Sequence, residues 1–204
     1  WRDCIYRKEK CYDDNGHGTC TCGIIAGNGL ASNKIYTGVA PEANIHCFKA
    51  FDKLGKGYVS DVLFSLEDLI NISEKYNIKV ICLPFETLYY NKFIFTQFDT
   101  LLKKARLKSI VCILPSGSNK NIDGSITGIA LSTNCITVSG IDTTSSAIKS
   151  YAYSSCGGIK KDKKPDFCAA CVDVISLNSN TSYISYKNNS KMHAPKLDTS
   201  YKNF

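Results

Sequence analysis

An α/β fold around a largely parallel sheet is what this sequence predicts, and three observations predict it. Short apolar runs of strand length alternate with longer segments of helical period, which is the pattern of β-α-β units. Two of the helical segments show a single apolar face. The apolar runs are near-continuous instead of alternating, as expected for strands covered on both sides.

Taken in order, residues 44–51 (Asn-Ile-His-Cys-Phe-Lys-Ala-Phe) read as a strand, followed by a turn at Gly55 and Gly57. Ser60 is placed to cap a helix, with Asp61 in its first turn. From there Val62, Leu63, Leu66, Leu69 and Ile70 recur at helical spacing as far as about Tyr76. Residues 78–83 form a buried-type strand stopped by Pro84. A second amphipathic helix spans roughly 91–107 and carries Phe95, Phe98, Leu101, Leu102 and Ala105. Ser109 to Leu114 reads as a strand stopped by Pro115, and further strands fit 135–140 and 172–177. Beyond residue 178 Asn, Ser, Tyr and Lys dominate and no apolar period persists, so 178–204 reads as a polar tail after a domain spanning 1–177.

The chain has 204 residues, 44% hydrophobic and 21% charged, enough for one domain with a sizeable core. Its formal charge of +7 comes from scattered lysines, with one run at Lys160, Lys161, Lys163 and Lys164. No stacking aromatics accompany that run, so it reads as a solvated loop and no nucleic-acid partner is expected. No apolar stretch approaches the roughly 20 residues needed to span a bilayer, and no membrane association is expected. The chain opens at Trp1 with neither initiator methionine nor signal peptide, which reads as an internal or processed segment. Its 11 cysteines are odd in number and scattered, most of them inside apolar runs. A reducing compartment such as the cytoplasm fits that usage better than a disulfide framework, and secretion stays open.

Residues 13–27, Asp-Asp-Asn-Gly-His-Gly-Thr-Cys-Thr-Cys-Gly-Ile-Ile-Ala-Gly, carry the chemistry. A histidine between two glycines opens a small-residue helix, and imidazole titrates in the range useful to a general base. This string resembles the histidine motif of the subtilisin-like serine peptidases, D-x-N-G-H-G-T-H-V-A-G-I-I-A-G. The similarity continues through Gly38-Val39-Ala40-Pro41, Phe51-Asp52 to Ser60-Asp61-Val62, Asn77 to Leu83, Lys164-Pro165-Asp166 and Val172 to Ser176. It implies a three-layer subtilisin-like fold, incomplete at both ends, with the triad chemistry of serine nucleophile, histidine base and orienting aspartate.

By that resemblance His17 holds the base position. The aspartate motif, apolar-D-[ST]-G, belongs well upstream, but only 16 residues precede His17. Asp3, Asp13 and Asp14 lack it, so the orienting carboxylate is expected outside this chain. Asn189-Ser190-Lys191-Met192-His193-Ala194-Pro195 aligns with G-T-S-M-A-A-P, which places Lys191 where the nucleophile belongs. An ammonium is no acyl-transfer nucleophile unless strongly desolvated. Ser190, one residue away, points elsewhere at a helix start. Leu114 to Asn119 corresponds to the family's A-A-G-N, so Ser118 replaces the oxyanion asparagine, or Asn119 serves if the loop is shifted by one. Leu83, Pro84, Phe85 and Glu86 replace the substrate-pairing S-L-G, with Pro84 deleting a ladder donor and Glu86 adding bulk and charge.

Cys20 and Cys22, with Cys168 and Cys171, give a C-x-C plus C-x-x-C spacing, so a structural zinc is one reading. Against it, positions i and i+2 of a helix face apart, and no cofactor is the expectation. The functional expectation is a subtilase-type serine endopeptidase by ancestry, inactive as this chain stands. Two alternatives stay open: an active enzyme whose missing members lie elsewhere, and a pseudoprotease binding a peptide, a protein or a chain that completes the fold.

Overall fold

The computed structural model describes residues 1–87, 89–157 and 163–179, and the backbone of the strand at 196–197. The chain divides into two units, residues 1–56 with the described part of 174–195, and residues 57–173 with the strand at 196–197.

In the first unit β1 (Arg2–Asp3) pairs in parallel with β2 (Phe48–Lys49). The strand expected over 44–51 is therefore reduced to two residues, because its partner offers only two. Asp3 ends β1 and is 5% exposed. Its carboxylate accepts from the backbone N–H groups of Ile5, Tyr6 and Lys8 and from the Tyr12 hydroxyl, at 2.8–3.2 Å. These bonds, outweighing the upward push of burial, hold Asp3 below the usual carboxylate range. Asp3 thus organises its own loop. The buried Lys49 is satisfied by Asp14 at 2.7 Å and the Phe51 carbonyl at 2.8 Å.

Helix α1 (His17–Ala26) follows. Its last carbonyls lack intrahelical partners, and the Gly-Val-Ala segment supplies them. Gly38, Val39 and Ala40 donate to the carbonyls of Gly27, Ile24 and Ile25 at 2.7–3.0 Å.

The second unit contains α2 (Val59–Tyr76), β3 (Val80–Cys82), β4 (Glu86–Thr87), α3 (Lys92–Leu107), β5 (Val111–Pro115), β6 (Ile136–Asp142), β7 (Lys149–Ser150), β8 (Phe167–Ala170) and β9 (Lys196–Leu197). The principal sheet runs β3-β5-β6 in parallel. Strand β8 continues it in parallel along Val138–Ile141, and β7 pairs antiparallel at the end of β6. The two amphipathic segments form α2 and α3 as expected. Helix α2 starts at Val59 with Tyr58 as its cap residue, so Ser60 lies inside the helix and caps nothing. Asn91 caps α3, its side chain accepting from the Ile94 N–H at 3.1 Å.

One face of the sheet is packed. Leu66, Ile70, Phe98, Leu102 and Ala105 are fully buried, together with Ile81, Cys112 and Leu114 of β3 and β5. Each large apolar side chain removed from water here contributes roughly 1.5–3 kcal/mol. The alternate residues point the other way and stay open, Val80 at 54%, Val111 at 40% and Phe167 at 61%. Among the described residues of this face, Ile113 and Val138 are half-buried.

Two further expectations are corrected. Pro115 does not stop β5 but ends it from within: it pairs with Val138, and Ser116 N–H supplies the next ladder bond to the Val138 carbonyl at 2.8 Å. The strand placed at 172–177 lies instead at Phe167–Ala170. Asp173 has a φ of 54°, which breaks extended backbone at that point. The Lys-Pro-Asp motif leads into β8 with Lys164 buried, its ammonium donating to the Cys135 carbonyl at 2.8 Å and pairing with Asp166. Asp166 also accepts the Thr137 N–H at 2.7 Å.

Among the described residues no helix is long and apolar enough to cross a membrane.

Candidate active site

His17 is the first residue of α1 and is half-buried. The turn before it needs glycine, because Gly16 sits at φ 97° in the left-handed region. Asp13 holds the turn together. One carboxylate oxygen accepts the N–H groups of Asn15 and Gly16 at 3.0 and 2.8 Å, and the other accepts the N–H and hydroxyl of Thr19 at 2.9 and 2.6 Å. Asp13 thereby satisfies orphan donors of the first helical turn and places negative charge at its positive end. Burial would raise its pKa, but those four bonds win and hold it below the usual carboxylate range. Burial lowers the pKa of His17 and the nearby Asp13 charge partly opposes this. The net result is an imidazole neutral near pH 7, able to accept a proton. Sequence reasoning found His17 but missed Asp13 as its positioning residue; the signal was an Asp six residues before a threonine at a helix start.

Ser118 and Glu86 lie in the second unit and are brought together there. Leu83 is buried, and its N–H extends the ladder to Ile113 at 2.9 Å. After Pro84 the chain turns, Phe85 donating back to Leu83 at 2.8 Å and packing its ring 6.4 Å from Phe98. This turn aims Glu86 inward at 7% exposure. Its two carboxylate oxygens accept the Ser118 backbone N–H at 2.6 Å and the Ser118 hydroxyl at 2.7 Å. Asn119 is the neighbouring candidate, and its side-chain amide is engaged with the Ser125 carbonyl at 3.2 Å and the Thr127 hydroxyl at 3.4 Å. Its backbone N–H donates to Ser155 at 2.9 Å.

Around Glu86 the free space is small. A cavity of about 10 Å³, room for one water, is lined by Phe85, Glu86, Thr87, Ser116, Gly117 and Thr127 among others. The edge is occupied too, since Glu86 and Thr87 pair in parallel with Lys196 and Leu197. The strand expected to receive a substrate instead carries a charged side chain turned into the donors beside it. Nothing in the sequence signals that contact, which joins residues 32 positions apart.

Lys191 and Ser190 fall outside the described residues. Cys20 and Cys22 lie on α1, Cys168 on β8 and Cys171 just beyond it; all eleven cysteines are free thiols. Among the described residues no group of three or more His, Cys, Asp or Glu side chains is assembled to hold a metal ion.

A family model described as the subtilase family matches residues 3–201. Serine protease AprX of Bacillus subtilis (strain 168) is 33% identical over 195 residues, covering 89% of this chain and 43% of its own. Subtilisin-like protease 3 of Plasmodium falciparum (isolate 3D7) is 31% identical over 106 residues, 52% of this chain and 13% of its own. Among solved structures, Sphericase superposes with a TM-score of 0.75 at 21% identity, covering 88% of this chain and 61% of its own. S41 Psychrophilic Protease does so at 0.71 and 24%, covering 84% and 57%. These structural likenesses show the fold. The chain spans less than half the length of the curated relatives it matches.

Proposed function

We propose that this chain, which belongs to the subtilase family of serine peptidases, is a subtilase domain that does not hydrolyse peptide bonds as it stands. The observation that carries this reading is Glu86 on Ser118. Oxyanion catalysis needs donors aimed at developing negative charge. Here both donors of Ser118 are taken by a fixed carboxylate. An oxyanion forming at about 4 Å from that charge would be disfavoured by about 4 kcal/mol at an effective dielectric of 20, close to a thousandfold in rate. Loss of the family's asparagine donor adds a factor of about 10²–10³, the value such a donor has in subtilisin itself. Lys191 at the nucleophile position supports the same reading.

On this reading the domain keeps a scaffold for an extended peptide or protein ligand, or for a further chain that completes the fold. No cofactor, nucleic acid or membrane is needed. The free, scattered thiols favour a reducing compartment.

A second reading has one observation behind it. His17 is held neutral at a helix start, as a working base requires, so a live enzyme could draw its remaining groups from sequence beyond this chain. The purified chain is expected neither to cleave casein nor to label with a fluorophosphonate. Labelling that survives Ser190→Ala and disappears in His17→Ala would reveal an unrecognised nucleophile and overturn inactivity. Metal analysis finding one zinc equivalent, lost in Cys168→Ser, would restore the zinc reading.

A further inference from the structure

We propose that the β4 edge at Glu86–Thr87 is a strand-addition site for extended polypeptide, and that this chain's own Lys196–Leu197 segment occupies it as a displaceable plug in cis. This rests on the reading above, in which the domain keeps a scaffold for an extended peptide. Strand β4 stands apart from the principal sheet. Among the described strands it pairs with β9 alone, in parallel, with Glu86 opposite Lys196 and Thr87 opposite Leu197. Both residues of β4 are anchored. The Glu86 carboxylate is fixed on Ser118. The Thr87 hydroxyl accepts the Ile129 N–H at 3.3 Å, and the Thr87 carbonyl accepts the Thr127 hydroxyl at 3.4 Å. The two residues are 7% and 3% exposed, so the β4 backbone edge lies where its polar groups need a partner. An extended backbone supplies one, as it does wherever a peptide adds to a sheet edge.

The site is short and is filled by backbone pairing. Pro84 has no N–H, and the Phe85 N–H is spent on the Leu83 carbonyl at 2.8 Å, so no ladder donor precedes Glu86. Pro195 likewise offers no donor before Lys196. From Pro195 to Ser200 the sequence Pro-Lys-Leu-Asp-Thr-Ser contains one large aliphatic residue, Leu197. The hold on β9 therefore comes chiefly from its main chain, which another extended peptide running in the same direction reproduces. Each such hydrogen bond shifts an equilibrium by about fivefold net. Two of them would close the edge in cis by about 25-fold and weaken the apparent binding of an added peptide by the same factor. A plug of that strength keeps the edge covered and still yields to a ligand.

The test uses the full chain and a fluorescein-labelled peptide of its own residues 193–200, His-Ala-Pro-Lys-Leu-Asp-Thr-Ser, followed by fluorescence anisotropy. Lys196→Pro combined with Leu197→Pro removes whichever N–H of β9 faces β4. This double variant, with the far-ultraviolet circular dichroism of the parent, is expected to bind the peptide at least about tenfold more tightly than the parent chain does. Equal affinity, or no binding by either chain, would overturn the proposal. In the unmodified chain, amide exchange should be slowed at one or both of Lys196 and Leu197 and released by saturating unlabelled peptide. Exchange at free-peptide rates at both, or protection that the peptide leaves unchanged, would overturn the proposal without any variant. Sedimentation reads the other occupant: a dimer that the double variant returns to monomer would place β9 in a second copy and overturn the cis assignment. Anisotropy reads binding and not cleavage, so these outcomes stand apart from the casein and fluorophosphonate assays that test inactivity.

Discussion

Replacing Glu86 by alanine removes both carboxylate oxygens that accept from Ser118, one from its N–H at 2.6 Å and one from its hydroxyl at 2.7 Å. A hydrogen bond to a charged group contributes roughly 1.5–3 kcal/mol, so about 3–6 kcal/mol of interaction is lost. Against this, the folded state no longer has to bury a carboxylate, a penalty of several kcal/mol. Ser118 is exposed, so water takes over as acceptor for its freed N–H and adds no further penalty. The balance is a destabilisation of about 2 kcal/mol. Glu86→Gln separates charge from shape. Its amide oxygen can accept the Ser118 N–H while its amino group donates to the Ser118 hydroxyl, which can serve as acceptor. The expected loss is then about 1 kcal/mol. Urea titration followed by far-ultraviolet circular dichroism reads both, and with a slope of about 2 kcal/mol per molar the alanine midpoint should fall by about 1 M. An alanine variant unfolding at or above the parent midpoint would refute the reasoning, because the carboxylate would then be a net cost to the fold.

Other outcomes follow from the same structure. His17 should titrate below its ordinary 6.5 by proton NMR, and lower still in Asp13→Asn, which removes the opposing charge. Because the unfolded chain then binds a proton that the folded chain refuses, this residue should cost stability as pH falls below about 6.5, and His17→Gln should flatten that part of the pH–stability curve. Asp166→Ala strands the buried Lys164 ammonium and should cost about 3 kcal/mol in chemical denaturation, more than Lys164→Met, which removes the charge that needs a partner. Gly128 sits at φ 61°, and an added Cβ would overlap the Thr87 hydroxyl at 1.5 Å. Gly128→Ala should cost about 3 kcal/mol, with part recovered in the double variant with Thr87→Ala, read as a coupling energy. Asn91→Ala removes the cap of α3 and should lower stability by about 1 kcal/mol.

Helices α2 and α3 were legible because an apolar face must recur with the helical period, and Leu66, Ile70, Phe98 and Leu102 do so and end fully buried. His17 was legible because its motif is local: the glycine that permits the turn and the Asp13 that caps it lie within four residues of it. Strand β8 was misplaced because residues 172–177 are as apolar as Phe167–Ala170, and only pairing with Val138–Ile141 separates the two. Sequence alone settled the family and the two long helices, since each rests on patterns spanning a few turns of chain. Only the tertiary structure decided that Glu86 closes onto Ser118 and that Lys164 is buried against the Cys135 carbonyl. Those outcomes depend on which distant side chains share a few ångströms of space, and periodicity along the chain carries no record of that.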